Sequence, residues 1–357
     1  MPQINNDVIS FQNLFTHMDK LSLFDKNSLN KLLNKRSGES KFGQDIKLLT
    51  SISNIYDQLK SLDVKYVIIG LPEDVGVFAN HGKSGTSKTW EITLKTLLNI
   101  QSNEFTTPEK VLILGHLDFS EELKKLALLN PDKRKSFIKA RDLVKEIDTH
   151  VSYIIHQIVL AGKKPIIIGG GHNNAYGNIK GTSLALGKPI NAVNFDAHSD
   201  FRAEEGRHSG NGFSYAHSEG FLKNYYIFGL QQNYTSRALF KTLKKLENIQ
   251  YTTFEDIEIT HKIKFSAAMK EAFDFVSNNP YGIEIDCDTI ENIPSSAMTP
   301  SGFSVNNARR FVSYFAENSN ASYLHICEAA PTHKTENQVG KLITYLITDF
   351  INAQNNL

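Results

Sequence analysis

From about residue 65 onward, short apolar runs rich in β-branched residues alternate with longer stretches whose apolar residues recur at helical spacing. This alternation is typical of a mostly parallel sheet with helices on both faces. The runs predict eight strands, at residues 65–70, 110–115, 165–169, 190–196, 225–229, 248–252, 281–287 and 322–328. Since no internal repeat or low-complexity linker interrupts them, we expect one α/β domain over residues 61–357.

The N-terminal part of the chain has a different pattern. The segments FQNLFTHMDKLSLF and IKLLTSISNIYDQLKSL place apolar residues at helical spacing, and the polar stretch NKRSGESKFGQD separates them. No chemical motif occurs there. We therefore predict an N-terminal helical extension over residues 1–60.

Composition excludes several classes of function. Hydrophobic residues make up 40% and charged residues 22% of the 357 residues, and the net charge is +1. Such a balance predicts neither a nucleic-acid partner nor a membrane surface. The first residues lack the pattern of a signal peptide, and no apolar run is long enough to span a membrane. The two cysteines, Cys287 and Cys327, lie in strand-like runs, which indicates reduced core thiols in a cytoplasmic protein.

Potential metal ligands follow three of the predicted strands. In NFDAHSD the ligand types occupy every second position, so an extended chain points their side chains to one face. The runs PIIIGGGH and YGIEIDCD deliver further ligands at the ends of two other strands. Four carboxylates and two imidazoles suit a pair of divalent cations better than one zinc ion. The six residues are His172, Asp196, His198, Asp200, Asp286 and Asp288.

The segment GVFANHGKSGTSK is similar to a phosphate-binding loop only at first sight. Five residues separate Gly76 from Gly82, whereas the P-loop motif requires four. We therefore expect no nucleotide site in this segment.

Five motifs in order resemble the ureohydrolase family, which comprises arginases, agmatinases, guanidino-acid hydrolases and formimidoylglutamases. They are IIGLPEDVGVFANHGKSG, GGGHNNAYG, NFDAHSDFR, IDCDTIENIP and CEAAP. The resemblance extends from about residue 65 to the C-terminus. It implies an arginase-like fold, a three-layer α/β/α sandwich around a mostly parallel eight-stranded sheet.

The resemblance also implies two Mn²⁺ ions per chain. One ion would be bound by His172, Asp196, Asp200 and Asp286, and the other by Asp196, His198, Asp286 and Asp288. Asp196 and Asp286 would then bridge the two ions. Paired cations can hold one hydroxide between them and generate it near neutral pH, and this hydroxide would attack the substrate.

Two acidic residues are implied to act in catalysis. Glu328, in CEAAP, falls on the family glutamate that pairs with the planar cation of the substrate. Asp200 would accept a hydrogen bond from the nucleophile and carry its proton to the leaving nitrogen.

The chain departs from the family pattern at several positions. Gly171 replaces the aspartate of the usual GGDH, a form associated with formimidoylglutamases. The SGN motif, with Ser209 and Asn211 as expected substrate contacts, lacks the histidine that shuttles protons in arginases and has Phe213 instead. His208 is the substitute that we predict to be catalytic, with His217 as an alternative. The loop after DxD also differs in length, with Glu291 in place of the family aspartate.

The expected substrate is an amidine that carries carboxylates. Arg202 lies two positions beyond Asp200 and offers a fork that matches a carboxylate, and Arg237 in NYTSRALF is predicted to add a second positive group. N-formimidoyl-L-glutamate, which would yield L-glutamate and formamide, fits this pattern. Asn173 departs from it, because a glutamate is expected at that position in formimidoylglutamases.

Two alternatives stay open. The chain could hydrolyse another guanidino acid and release urea, or it could be a non-catalytic metal-binding homologue with a regulatory role. The family also implies a homo-oligomer with a small-molecule substrate.

Overall fold

All eight predicted strands form, and they lie in one nine-stranded sheet in the computed structural model, which describes residues 20–357. Every pair of neighbouring strands in this sheet is parallel except the pair formed by the first strand, residues 21–23, which confirms the mostly parallel sheet. The strands are β1 (Leu21–Leu23), β2 (Tyr66–Gly70), β3 (Val111–Leu117), β4 (Lys164–Ile168), β5 (Ile190–Phe195), β6 (Leu222–Leu230), β7 (Ile249–Thr253), β8 (Tyr281–Asp286) and β9 (Ala321–Cys327).

Helices cover both faces of the sheet, as the alternating pattern predicts. The α-helices are α1 (Lys26–Leu32), α2 (Phe42–Asp45), α3 (Ile55–Ser61), α4 (Val75–Ala79), α5 (Thr89–Leu97), α6 (Ser120–Ala127), α7 (Arg134–Leu160), α8 (Asn174–Leu186), α9 (Gly212–Ser218), α10 (Arg237–Leu243), α11 (Phe265–Val276), α12 (Val305–Ala316) and α13 (Glu336–Asn355). Helices α5, α11, α12 and α13 pack on one face, and α3, α4 and α6 to α10 pack on the other. Within residues 20–357, no helix is both long and apolar enough to cross a membrane.

The two helix layers explain why the strands read as continuous apolar runs. Each strand of a parallel sheet is buried on both faces, so consecutive residues alternate between two cores. In β2, Ile68 packs in the core on the side of α5, α11, α12 and α13, whereas Val67 and Ile69 pack in the core on the opposite side of the sheet. Cys287 and Cys327 are buried and unpaired, which confirms their assignment as core thiols.

The N-terminal segment differs in part from the predicted helical extension. The predicted helix over residues 11–24 begins outside the described residues, and its last part forms the antiparallel edge strand β1, with Leu21 opposite Leu117. Gly115 permits this pairing, because a Cβ atom there would lie 2.0 Å from the carbonyl oxygen of Ser22. Pairing with the exposed edge of β3 outweighs the weak helical pattern of three residues. Of the second predicted helix, residues 46–62, only α3 is helical, whereas α1 and α2 lie outside both predicted helical segments.

The order of the strands brings the site residues to the centre of the sheet. The order is β1-β3-β2-β4-β9-β8-β5-β6-β7, so the chain passes from β4 to β5 across two strands that are added later. Open α/β sheets form their sites at the carboxyl ends of strands, next to such a change of direction. The four central strands β4, β9, β8 and β5 are the ones followed by the predicted ligands and by Glu328.

Candidate active site

The carboxyl ends of the central strands open into a cavity of about 710 Å³. Its floor includes Asp286, Asp288 and Glu328, and the segment after β5 contributes residues 198–200. Its mouth is formed by the loop after α4 and by Arg202 and Ser209. The cavity therefore combines an acidic floor with a mouth that contains basic side chains.

The first predicted ligand set is assembled. The Nδ1 atom of His172 lies 2.9 Å from Asp200 Oδ2 and 3.2 Å from Oδ2 of both Asp196 and Asp286. All four side chains are buried. Three carboxylates around one imidazole nitrogen are unfavourable away from water unless positive charge lies between them.

The pKa of His172 shows the same need for positive charge. Burial opposes protonation of the ring, but the three surrounding carboxylates raise the pKa of His172 well above its usual range. A cation bound at Nδ1 would satisfy these carboxylates in place of the proton.

The second predicted set is assembled in part. His198 Nδ1 lies 3.2 Å from Asp288 Oδ2 and 3.7 Å from Asp196 Oδ1. Since Asp196 turns Oδ2 toward His172 and Oδ1 toward His198, its carboxylate stands between the two sets. Asp286 faces His172, while its Oδ1 accepts a hydrogen bond from the backbone N–H of Asp288 at 2.9 Å. The structure thus places three of the four residues of the second set together, without Asp286.

Hydrogen bonds from the flanking chain fix the carboxylate of Asp196. Asn194 Nδ2 donates to Asp196 Oδ2 at 2.8 Å, and the N–H of His198 donates to Asp196 Oδ1 at 2.7 Å.

Two residues of the site have a strained backbone. Asp200 has a φ of 44° and Glu328 a φ of 61°, the left-handed region that non-glycine residues rarely adopt. Such backbone strain is concentrated at functional sites, where the surrounding structure imposes it.

The donor set fits hard divalent cations. Within each set the candidate ligand atoms lie within 4.8 Å of one another, and carboxylate oxygens predominate. Oδ1 of Asp288 is buried and has no hydrogen-bond partner, so the second set retains an acceptor for a cation. Oxygen-rich ligation with imidazole suits Mn²⁺ better than a metal that prefers thiolates.

Glu328 presents one free oxygen to the cavity. Its Oε1 accepts a hydrogen bond from the backbone N–H of His172 at 2.7 Å, whereas its buried Oε2 has no partner. Burial raises the pKa of Glu328 to about 8. A planar cation in the cavity would supply both the missing hydrogen bond and the missing charge.

Asp200 lines the same cavity and is the second predicted catalytic acid. Burial, followed by the charge of Asp196, raises its pKa to about 6. A cation bound by Asp200 would lower this pKa again, so the role of Asp200 in proton transfer rests on its place in the cavity lining.

Of the predicted substrate residues, Arg202 and Ser209 lie at the mouth of the cavity. Arg202 Nη1 donates to Asn80 Oδ1 at 2.8 Å, and Asn80 Nδ2 donates to Ser209 Oγ at 3.1 Å. The Arg202 side chain is 53% exposed and its Nη2 lies 3.6 Å from Glu205, so a bound carboxylate would compete with Asn80 and Glu205 for the guanidinium. Arg237, in contrast, is exposed at the start of α10 and does not line the cavity.

His208 and Asn211 lie behind the cavity wall rather than in it. His208 is buried, and its Nδ1 accepts a hydrogen bond from the N–H of Gly210 at 3.1 Å. Burial, followed by the charges of Arg202 and Arg141, lowers the pKa of His208 to about 3, which does not suit a proton shuttle at neutral pH. Asn211 Oδ1 accepts from the His208 N–H at 3.0 Å. Both residues shape the loop that carries Ser209.

The alternative His217 is also absent from the cavity lining. Its ring packs edge-on against Phe201, and its Nε2 lies 2.9 Å from Asn248 Nδ2. Neither substitute for the missing shuttle therefore lines the cavity.

Sequence reasoning missed two buried groups that hold the site loops. Arg207 pairs with Asp148 of α7 at 2.8 Å and donates to the Asn173 carbonyl at 2.9 Å. Glu73 accepts from the N–H of Gly171 at 2.9 Å and from that of Val75 at 2.6 Å. No local pattern marks the contact of Arg207 with Asp148 or that of Glu73 with Gly171, because these partners are far apart in the chain.

Sequence reasoning also missed three residues at the cavity mouth. Two of them, His81 and Lys83, lie on the loop that resembles a P-loop, and the third is Tyr234. Asp74 fixes this loop by accepting hydrogen bonds from the N–H groups of Gly85 and Thr86. Tyr234 stacks on His198 with ring centroids 5.2 Å apart. The resemblance of this loop to the family motif was the available signal for His81 and Lys83.

Comparison with known proteins agrees with these observations. A formimidoylglutamase of Streptococcus pyogenes is 25% identical over 304 residues, which cover 82% of this chain and 86% of that protein. The crystal structure of formimidoylglutamase from Bacillus subtilis superposes with a TM-score of 0.71 at 19% identity, covering 90% of this chain and 94% of that one. Trypanosoma cruzi formiminoglutamase with Mn²⁺ gives a TM-score of 0.68 at 18% identity, covering 88% and 98%. The model of the arginase family matches residues 64–352, and the chain belongs to that family.

Proposed function

We propose that the protein hydrolyses N-formimidoyl-L-glutamate to L-glutamate and formamide at a centre of two Mn²⁺ ions. The observation that carries the proposal is the opposite charge of the two ends of one cavity. The floor offers the free Oε2 of Glu328, and the mouth offers Arg202. A substrate with an amidinium at one end and carboxylates at the other matches this polarity.

The metal centre would use all six predicted ligands. His172, Asp196, Asp200 and Asp286 would hold one ion, and Asp196, His198, Asp288 and Asp286 would hold the other. Four carboxylates would balance the charge of two divalent ions. When bound, the ions would supply a water molecule activated at neutral pH and polarise the amidine carbon.

The chain's own residues would orient the amidine and move the proton. Glu328 would accept hydrogen bonds from the amidinium, which holds the carbon over the ligands. Asp200 would take a proton from the attacking water and pass it to the substrate nitrogen that leaves with glutamate. The bond from the amidine carbon to that nitrogen breaks, one water is consumed, and formamide and the free amine of glutamate are released.

Recognition of the carboxylates would fall to Arg202 and Lys83. The sequence predicts Arg202 for this role together with Arg237. Lys83 lines the cavity mouth and would take the place of Arg237, which does not line it. Agmatine, which has a second cation in place of a carboxylate, would be repelled by this mouth. The formimidoylglutamase relatives support an acidic substrate, and the Mn²⁺ in the T. cruzi protein supports the choice of metal.

The test is product analysis with Mn²⁺-loaded protein. N-formimidoyl-L-glutamate, L-arginine, 4-guanidinobutanoate and agmatine are incubated separately, and formamide, urea and released amine are quantified. The proposal predicts formamide and glutamate in equal amounts from the first compound and little turnover of agmatine. Urea from a guanidino acid at a higher kcat/KM would assign the cavity to a urea-releasing hydrolase, and no turnover of any amidine would overturn the enzymatic proposal.

A further inference from the structure

A buried acidic residue outside the ligand set lies beneath the metal centre. Glu284 is on β8, two residues before Asp286, and its side chain is fully buried. Its Oε1 accepts a hydrogen bond from the Tyr323 hydroxyl at 2.7 Å. Its Oε2 lies 2.5 Å from His325 Nδ1 and 3.4 Å from His172 Nε2.

These neighbours are provided by the register of the sheet. Glu284 on β8 pairs with His325 on β9, so their side chains are adjacent on one face. Gly282 allows Tyr323 to cross β8, since a Cβ atom there would lie 2.1 Å from the tyrosine ring. A buried carboxylate is tolerated only when several donors satisfy it, and Glu284 has three candidate donors.

The contact with His172 connects this group to the metal centre. His172 turns Nδ1 toward Asp196, Asp200 and Asp286, and turns Nε2 away from them toward Glu284. Within the described part of the chain, Glu284 is the one carboxylate within 4.0 Å of Nε2. A neutral imidazole that binds a cation through Nδ1 must carry its proton on Nε2. That buried atom has no hydrogen-bond partner here, and Glu284 Oε2, 3.4 Å away, is the carboxylate placed to accept from it after a small shift.

We propose that Glu284, held by Tyr323 and His325, is the positioning residue that fixes the tautomer and orientation of His172 for the first metal ion. A histidine that binds a metal commonly donates its other N–H to a carboxylate in this way. The inference rests on the proposed metal centre. The alternative interpretation is a separate metal site, because His172, His325 and Cys327 also form a buried group whose ligand atoms are close enough to hold a metal ion.

The test is calorimetric titration of metal-free protein with Mn²⁺, which requires no turnover. Glu284→Gln keeps the size of the side chain and removes its charge. The affinity for one of the two ions should fall about 10- to 100-fold, while the affinity for the other should change by less than about three-fold. Tyr323→Phe, which removes only the hydroxyl that holds Glu284, should lower the same affinity by a smaller factor.

Two further variants separate positioning from loss of stability. Asn191→Ala removes a buried hydrogen bond to the Val276 carbonyl at the opposite end of the sheet, so it should lower thermal stability without changing either Mn²⁺ affinity. In a His172→Ala background, Glu284→Gln should cause no additional loss of affinity, because its effect is transmitted through His172.

The Mn²⁺ affinities of these variants decide whether Glu284 positions His172. Unchanged Mn²⁺ affinities in Glu284→Gln would overturn the inference, and if that variant does not fold, unchanged affinities in Tyr323→Phe would overturn it. A zinc ion bound by the wild type and lost in both Cys327→Ala and His325→Ala would assign these residues to a separate metal site instead. Wild-type protein that binds no Mn²⁺ would refute the proposed centre itself.

Discussion

Replacing Glu328 by glutamine tests how the cavity binds a planar cation. The substitution preserves size and can keep the hydrogen bond that Oε1 accepts from the backbone N–H of His172. It replaces the unpartnered Oε2 by an NH₂ group. A donor would then face the N–H groups of the amidinium where an acceptor is needed.

The magnitude follows from the loss of a charge-assisted contact in a buried site. Such a contact is worth on the order of 2–4 kcal/mol, because the cation must otherwise leave water without a partner. With 1.36 kcal/mol for each factor of ten, kcat/KM should fall about 30- to 900-fold. Metal binding should persist, since Glu328 is not one of the predicted ligands.

The assay measures formamide release from N-formimidoyl-L-glutamate, together with the Mn²⁺ content of each variant. Glu291→Gln is the matched control, because Glu291 is exposed on the neighbouring loop and does not line the cavity. Its kcat/KM should stay close to that of the wild type. Near-normal kcat/KM in Glu328→Gln, with both ions bound, would refute the assignment of Glu328 to the substrate cation.

Three other predictions follow from the geometry of the site loops. Arg202→Ala should lower kcat/KM for N-formimidoyl-L-glutamate about ten- to a hundred-fold by raising KM, and Arg202→Lys should recover only part of this loss. Arg237→Ala should leave kcat/KM almost unchanged. Equal effects of Arg202→Ala and Arg237→Ala would contradict the assignment of Arg202 to a substrate carboxylate. Asp148→Asn leaves the buried guanidinium of Arg207 without a counter-charge, so the free energy of unfolding measured in denaturant should fall by about 3–5 kcal/mol. A loss below about 1 kcal/mol would show that this ion pair does not anchor the loop that carries Arg207. The pKa of His208 is lowered from 6.5 to about 3, chiefly by burial, so the unfolded chain binds more protons between these values and stability should fall as pH drops through that range. Denaturant unfolding at several pH values should show a smaller decline for His208→Gln than for the wild type, and equal declines would place His208 in a protonated, solvated position.

The parallel sheet could be predicted from the sequence because burial on both faces leaves a strong local signal. A run such as YVIIG has no polar face, and all five residues of β2 are buried. The spacing in NFDAHSD identified Asp196, His198 and Asp200 as ligand candidates, but the predicted extended conformation is wrong. Strand β5 ends at Phe195 and Asp200 has a φ of 44°, so a bent loop, and not strand alternation, directs these side chains. Placing these motifs at the carboxyl ends of three predicted strands also indicated that they would lie at one edge of the sheet.

The strand β1 could not be predicted in the same way. Three residues, Leu21–Leu23, carry too little periodicity to distinguish a strand from the end of a helix. What decides their conformation is the free edge of β3 and the space above Gly115, and both belong to the folded chain.

The cavity mouth shows the same limit. Arg237 and Lys83 are both basic residues near motifs, one at the start of α10 and one in a loop. Only the packing of α10 and of the loop fixed by Asp74 determines which one lines the cavity. The pairing of Asp148 with Arg207 and the contacts of Glu284 likewise depend on distant segments. Motif spacing predicts which atoms can bind a metal, whereas the residues that hold those atoms in place emerge only from the fold.

The central claim is that six side chains at three strand ends bind a pair of manganese ions. The most direct test is the metal content of purified protein after loading with Mn²⁺ and removal of free metal, measured by elemental analysis. We predict about two manganese ions per chain in the wild type, and about one in His198→Ala, which alters only the second set. One zinc ion per chain, with no manganese bound after loading, would contradict the two-metal centre.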